Sequence, residues 1–94
     1  MAGKEEVRRR SKLDIMLTVL RAVAGGEEKP TKIMYAANMS WNLTQKVFED
    51  LVRQGLLEMR EVYGSKRSTR RYLITEKGRS VLQYFDGAKA LLKI

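Results

Sequence analysis

Residues 64–71 read Gly-Ser-Lys-Arg-Ser-Thr-Arg-Arg, so Lys66, Arg67, Arg70 and Arg71 place four positive charges in eight positions with no acid. A second basic stretch opens the chain, where Lys4, Arg8, Arg9, Arg10 and Lys12 stand against Glu5 and Glu6. The 94 residues carry 19 Lys and Arg against 11 Asp and Glu, net +8, and these two stretches hold all but one of the net charges. Cations concentrated in this way pair with a polyanion, and long side chains on a loop reach phosphates that a flat surface cannot. A charge run is more commonly a plain solvated surface, but four bases without one acid exceed what solubility requires.

Other chemistry has few candidates. The chain has no histidine and no cysteine, which removes the commonest general base, the best metal ligands and any disulfide. The adjacent carboxylates Glu5-Glu6, Glu27-Glu28 and Glu49-Asp50 are expected on the surface, not in a buried acid–base constellation. We therefore expect no catalytic residue, no metal, no cofactor and no small-molecule substrate. A hydrophobic share of 44% with 32% charged residues describes one small folded domain. The start has no apolar signal-like run and no stretch approaches membrane-spanning length, so the expected setting is the cytoplasm, with no membrane partner.

The elements that must position these charges follow from periodicity and caps. Ser11-Lys12-Leu13-Asp14 matches a capping box, and Leu13, Met16, Leu17, Leu20 and Ala24 then fall at helical spacing until Gly25-Gly26. A polar connection over 25–30 ends in Pro30. Thr31 is expected to cap a short second helix with Ile33, Met34 and Ala37 inward. Asn38 suits a left-handed helix end, and Ser40 suits the cap of a third helix, Trp41 to about Gln54, with Leu43, Val47, Phe48, Leu51 and Val52 as its stripe. A strand over 57–63 with Leu57, Met59 and Tyr63 on one face, the basic loop, and a return strand over 71–74 read as a β-hairpin. Thr75 caps a last helix over 76–93.

Two helices joined by a tight turn, followed by a basic hairpin, give an α+β, mainly α fold: a winged helix-turn-helix of three helices, a β-hairpin wing and a C-terminal helix. Residues 1–10 form a basic arm, 11–75 the winged-helix domain and 76–94 the C-terminal helix. The run Thr31-Lys32-Ile33-Met34-Tyr35-Ala36-Ala37-Asn38-Met39-Ser40, with Gly55-Leu56-Leu57 and Tyr72-Leu73-Ile74-Thr75-Glu76-Lys77-Gly78, resembles an archaeal winged-helix family. Its best-known members are the ten-kilodalton (10a-type) DNA-binding proteins of Sulfolobus. The resemblance spans about residues 11–93. It implies binding to double-stranded DNA, in a nucleoid-associated or transcription-regulatory role, and a dimer made through a terminal-helix coiled coil.

On a helix-turn-helix the second helix of the pair offers its N-terminal outward residues to base edges. Those positions are Trp41, Asn42, Gln45 and Lys46, with Ser40 and Thr44 as hydroxyls near the helix start. Asn42 and Gln45 can read adenine edges and Lys46 a guanine or a phosphate; equally, such residues decorate a solvated face. Ser40 is first a cap, and helix N-terminal amides also attract phosphate. Glu49, one turn on, repels phosphates. Lys66, Arg67, Arg70 and Arg71 form the wing contact. Arg8, Arg9, Arg10 and Lys12 form either an arm along DNA or a solvated tail. In the last helix Val81, Tyr84, Ala88 and Leu91 fall at heptad spacing, and Tyr84, Ala88, Leu91 and Leu92 are expected to meet a second copy. The rival function is a winged helix that serves as a protein-interaction module within transcription machinery. RNA is a weaker option, because no sheet-borne aromatic array is evident.

Overall fold

The computed structural model describes residues 10–64 and 68–92. The elements are α1 (Lys12–Ala24), α2 (Pro30–Ala37), α3 (Trp41–Arg53), β1 (Leu57–Tyr63), β2 (Ser68–Ile74) and α4 (Glu76–Leu91), the winged helix-turn-helix order. Capping chemistry sets several boundaries. The Ser11 hydroxyl accepts from the Asp14 amide, Ser40 from Leu43 and Thr75 from Gly78, each satisfying one of the amides a helix start leaves free. Asn38 takes the left-handed conformation at φ 56°, ending α2 and turning the chain into α3.

The second helix starts earlier than expected. Lys29, not Thr31, is the N-cap, and Pro30 holds the first helical position; its ring fixes φ near the helical value and its missing amide is one the helix would not use. Thr31 lies one residue inside.

The core joins Leu17, Val19, Leu20 and Val23 of α1 to Ile33, Ala37, Val47, Phe48, Leu51, Leu56, Leu57, Tyr72 and Leu82. Val19 and Val23 lie off the expected stripe, and Leu13, which lies on it, is 46% exposed. The reason is tertiary: α1 packs against α2, α3, β2 and α4, so its buried sector is wider than one helical stripe, while its first turn overhangs the edge. Leu43 and Val52 likewise lie at the rim of α3.

The hairpin pairs antiparallel from Leu57↔Ile74 through Met59↔Tyr72 and Glu61↔Arg70 to Tyr63↔Ser68. β2 therefore begins at Ser68, three residues before the return strand expected over 71–74, so Arg70 joins Arg71 on the strand and does not lie in the loop. Of β1 only Leu57 is buried; Met59 and Tyr63 are exposed, because beyond its base the ribbon has no layer above it. That base is fixed by Tyr72, whose ring stacks on Phe48 with centroids 3.9 Å apart and 15° between planes, a contact that adds about 0.5–1.5 kcal/mol to the burial of both rings. The Tyr72 amide also donates to Glu28 O at 2.9 Å, which ties the connection before α2 to β2. Among the described residues no helix is long and apolar enough to cross a membrane.

Candidate nucleic-acid interface

The turn between α2 and α3 is held from below by the start of the chain. The Arg10 guanidinium donates to Ala37 O at 2.8 Å and to Asn38 O at 2.9 Å, carbonyls that the end of α2 leaves without helical partners. Arg10, expected in a phosphate-binding arm, is thus a clamp on the helix-turn-helix. Lys12 is also engaged within the protein, in a surface ion pair with its Nζ 3.2 Å from Asp50 Oδ2. Both residues pair with the protein because α1 starts against the turn and α3; sequence spacing gives no hint of partners 27 and 38 positions away. Arg10→Ala should lower stability by about 1 kcal/mol, read as a fall in melting temperature of about 4–8 °C. Arg8, Arg9, Lys66 and Arg67 lie outside the described residues.

Asp50 is the electrostatic hub on this flank. Its hydrogen bond to Lys12, with the added charge of Arg53, holds its carboxyl below the usual range against the opposing effect of burial. A carboxyl depressed in the folded state stabilises fully above its unfolded value, about 3.9, and that stability is lost as pH falls through the lowered value. We expect acid unfolding to begin below about pH 4, and Asp50→Asn to remove part of that dependence in thermal melts between about pH 2 and 6.

The outward N-terminal face of α3 is open. Trp41 is 41% exposed, and Asn42, Gln45 and Lys46 are exposed. They divide between two flanks: Trp41 and Gln45 face the hairpin, whereas Lys46 borders the hollow with Lys12 and Asp50. Ser40 is a cap, its side chain satisfied by the Leu43 amide at 3.2 Å. Thr44 has no place on this surface. It is fully buried, with its hydroxyl donating to Ser40 O at 2.7 Å, because position 44 points back into the core between Ser40 and Phe48.

Between α3 and the foot of the hairpin lies a groove of about 700 Å³. Trp41 and Gln45 form one wall, Arg70 and Arg71 of β2 another, and Lys29 with Thr31 at the start of α2 the third. No acid lines it. Neither Lys29 nor Thr31 is expected at this surface from the sequence, where Thr31 reads as a cap; a Lys-Pro-Thr run at a helix entry is their only local signal. On the far side of Tyr72, Arg70 also borders a smaller hollow with Glu49, Val52 and Met59. Burial raises the pKa of the Tyr72 phenol, an effect opposed by the neighbouring Arg70 and reinforced by Glu49, so the hydroxyl stays protonated and neutral between those two charges.

On α4 the outer face is apolar and open: Tyr84 is 72% and Leu91 84% exposed, and Leu92 is exposed as well. Ala88 is half-buried, in a shallow trough with Leu13, Leu17 and Phe85. An exposed ion pair, Arg21 to Asp86 at 3.0 Å, ties α4 to α1 beside it.

Known proteins are similar to this chain in sequence or in fold. A relative from Methanocaldococcus jannaschii, an uncharacterized protein, is 27% identical over 73 residues, covering 78% of this chain and 67% of that protein. A MarR family transcriptional regulator from Silicibacter pomeroyi superposes with a TM-score of 0.71 at 20% identity, over 84% of this chain and 54% of that one. Stf76 from the Sulfolobus islandicus plasmid-virus pSSVx superposes with a TM-score of 0.58 at 12% identity, over 77% of this chain and 97% of that one. The chain spans about half the length of the MarR structures it matches. The winged helix-turn-helix family profile matches residues 9–93, nearly the whole chain, and with the element order, the capped turn and the hairpin stacked on α3 it shows that the chain belongs to the winged helix-turn-helix family.

Proposed function

We propose that this protein binds double-stranded DNA and acts in transcription regulation or in nucleoid organisation, using α3 and the hairpin together. The observation that carries this reading is a juxtaposition beside the hairpin: the exposed N-terminal face of α3 shares one groove with Arg70 and Arg71, without an acid among the described residues, and these two arginines belong to the most basic run of the sequence. Phosphates are the ligand for which uncommitted Arg and Lys side chains beside an open helix face are suited. The resemblance to the 10a-type proteins and the regulator-like neighbours support the same reading. It requires no catalysis and no cofactor, and it puts the protein on the chromosome in the cytoplasm.

The open apolar face of α4, with Tyr84, Leu91 and Leu92 beside Ala88, serves in this proposal as the contact with a second copy. Sedimentation analysis at micromolar concentration should show a dimer, and a monomer there removes this part of the proposal. Fluorescence anisotropy on a labelled duplex at several salt concentrations tests the main reading. Neutralising roughly five phosphates per protomer predicts a log–log salt slope of about −4 to −5. A flat response, or equal affinity for duplex DNA, single strands and duplex RNA, counts against it.

A further inference from the structure

The groove at the hairpin foot is built more specifically than general charge attraction requires. Among the described residues Lys29, Arg70 and Arg71 line it without a carboxylate, and none of the three takes part in an ion pair there, whereas Lys12, Arg21, Arg53 and Arg60 all do. The Nε of Arg71 is buried with no hydrogen-bond partner among the described residues, an unsatisfied donor that an entering anion would relieve. Lys29 makes no side-chain cap bond to α2, which leaves the amides of the first turn beside it without an acceptor from the cap. The bond from the Tyr72 amide to Glu28 O ties the segment bearing Lys29 to the strand bearing Arg71. Two cations on neighbouring, hydrogen-bonded segments therefore line one groove.

We propose that this groove seats one phosphodiester of duplex DNA, with Lys29 and Arg71 neutralising the phosphate and Trp41 packing against the adjoining sugar. The proposal rests on the DNA reading for the source of the phosphate. A volume of about 700 Å³ is far larger than a free oxyanion needs and suits a sugar-phosphate segment. Such a contact carries no sequence information; it fixes the register at which Asn42 and Gln45 meet the bases.

Trp41 is the chain's single tryptophan, so its emission reports on this groove alone. The test uses the full chain and a duplex in which a neutral methylphosphonate replaces each phosphate in turn. One position should weaken binding about tenfold and reduce the salt slope by about 1. Lys29→Gln and Arg71→Met should each give a similar loss, and that methylphosphonate should then have little further effect on either variant. Lys29 is exposed, so its variant keeps the test open if Arg71→Met fails to fold. Unchanged duplex binding by Lys29→Gln overturns the seat and leaves the DNA reading standing. A saturable change in Trp41 emission with inorganic phosphate, absent with chloride at equal ionic strength, combined with no duplex binding, overturns the DNA source together with the DNA reading.

Discussion

Alanine at Lys66, Arg67, Arg70 and Arg71 together should lower duplex affinity by about 100-fold near 0.1 M salt and flatten the log–log salt slope by roughly 3 to 4. Each basic residue that meets a phosphate releases about one counterion, and this run holds half of the net charge of the chain. The loss should be the same on two unrelated duplexes, because phosphate contacts carry no sequence. Asn42→Ala and Gln45→Ala should behave differently: each changes discrimination at one base pair by about 1–3 kcal/mol where it reads a base, with little effect on the salt slope. Anisotropy titrations on both duplexes decide this, with a thermal melt to show that the variant is folded. An unchanged slope in the quadruple variant would remove the wing from the interface. The hairpin base should survive the substitutions, since Leu57 and the Tyr72–Phe48 stack hold it.

The largest stability effect should come from Gly78→Ala. A Cβ at this position would lie 2.3 Å from Leu56 O and 2.8 Å from Ile74 Cγ1, and the first of these is backbone that side-chain rotation cannot clear. The first turn of α4 is seated directly on the chain leaving α3. The Thr75 hydroxyl donates to Gly55 O at 2.6 Å, Lys77 Nζ donates to Gln54 O at 2.7 Å and the Thr75 amide donates to Leu56 O at 3.2 Å. An added methyl group must lift α4 off those contacts, at a cost of about 3 kcal/mol or more by the usual scale of overpacking with lost hydrogen bonds. Urea unfolding at 25 °C measures it, and a loss below about 1 kcal/mol would show a seat looser than these contacts require. A methyl group at Gly87, in the same helix, would meet no atom within 4 Å. There alanine should stabilise by about 0.5–1 kcal/mol, from helix propensity alone.

These two glycines show where reading the sequence stops. The Thr75-Glu76-Lys77-Gly78 run is legible as a cap and part of a family-like motif, but nothing local distinguishes a glycine pressed on a carbonyl from one in open solvent. Caps at Ser11, Ser40 and Thr75 and the left-handed Asn38 are legible because each is decided within three or four residues. The hairpin is legible in existence and in strand β1, but not in where β2 begins: Ser68, Thr69 and Arg70 look like loop residues, and only pairing with β1 makes them strand. The buried face of α1 is broader than its periodicity suggests, since a helix enclosed by four elements buries more than one stripe.

The same division runs through the site. Charge is additive along a chain, so the sequence by itself determined that two basic stretches flank a nearly neutral body and that acid–base and thiolate chemistry have no His or Cys to use. Local hydrogen bonding determined the helix-turn-helix and its caps. What each cation is free to do depends on what stands within hydrogen-bonding or ion-pairing reach of it, and only the tertiary structure brings those neighbours together. It turned Arg10 into a clamp on the turn and Lys12 into a partner of Asp50, withdrew Thr44 into the core, and brought Lys29 into one groove with Arg71. Such contacts join residues tens of positions apart, and no local pattern encodes them.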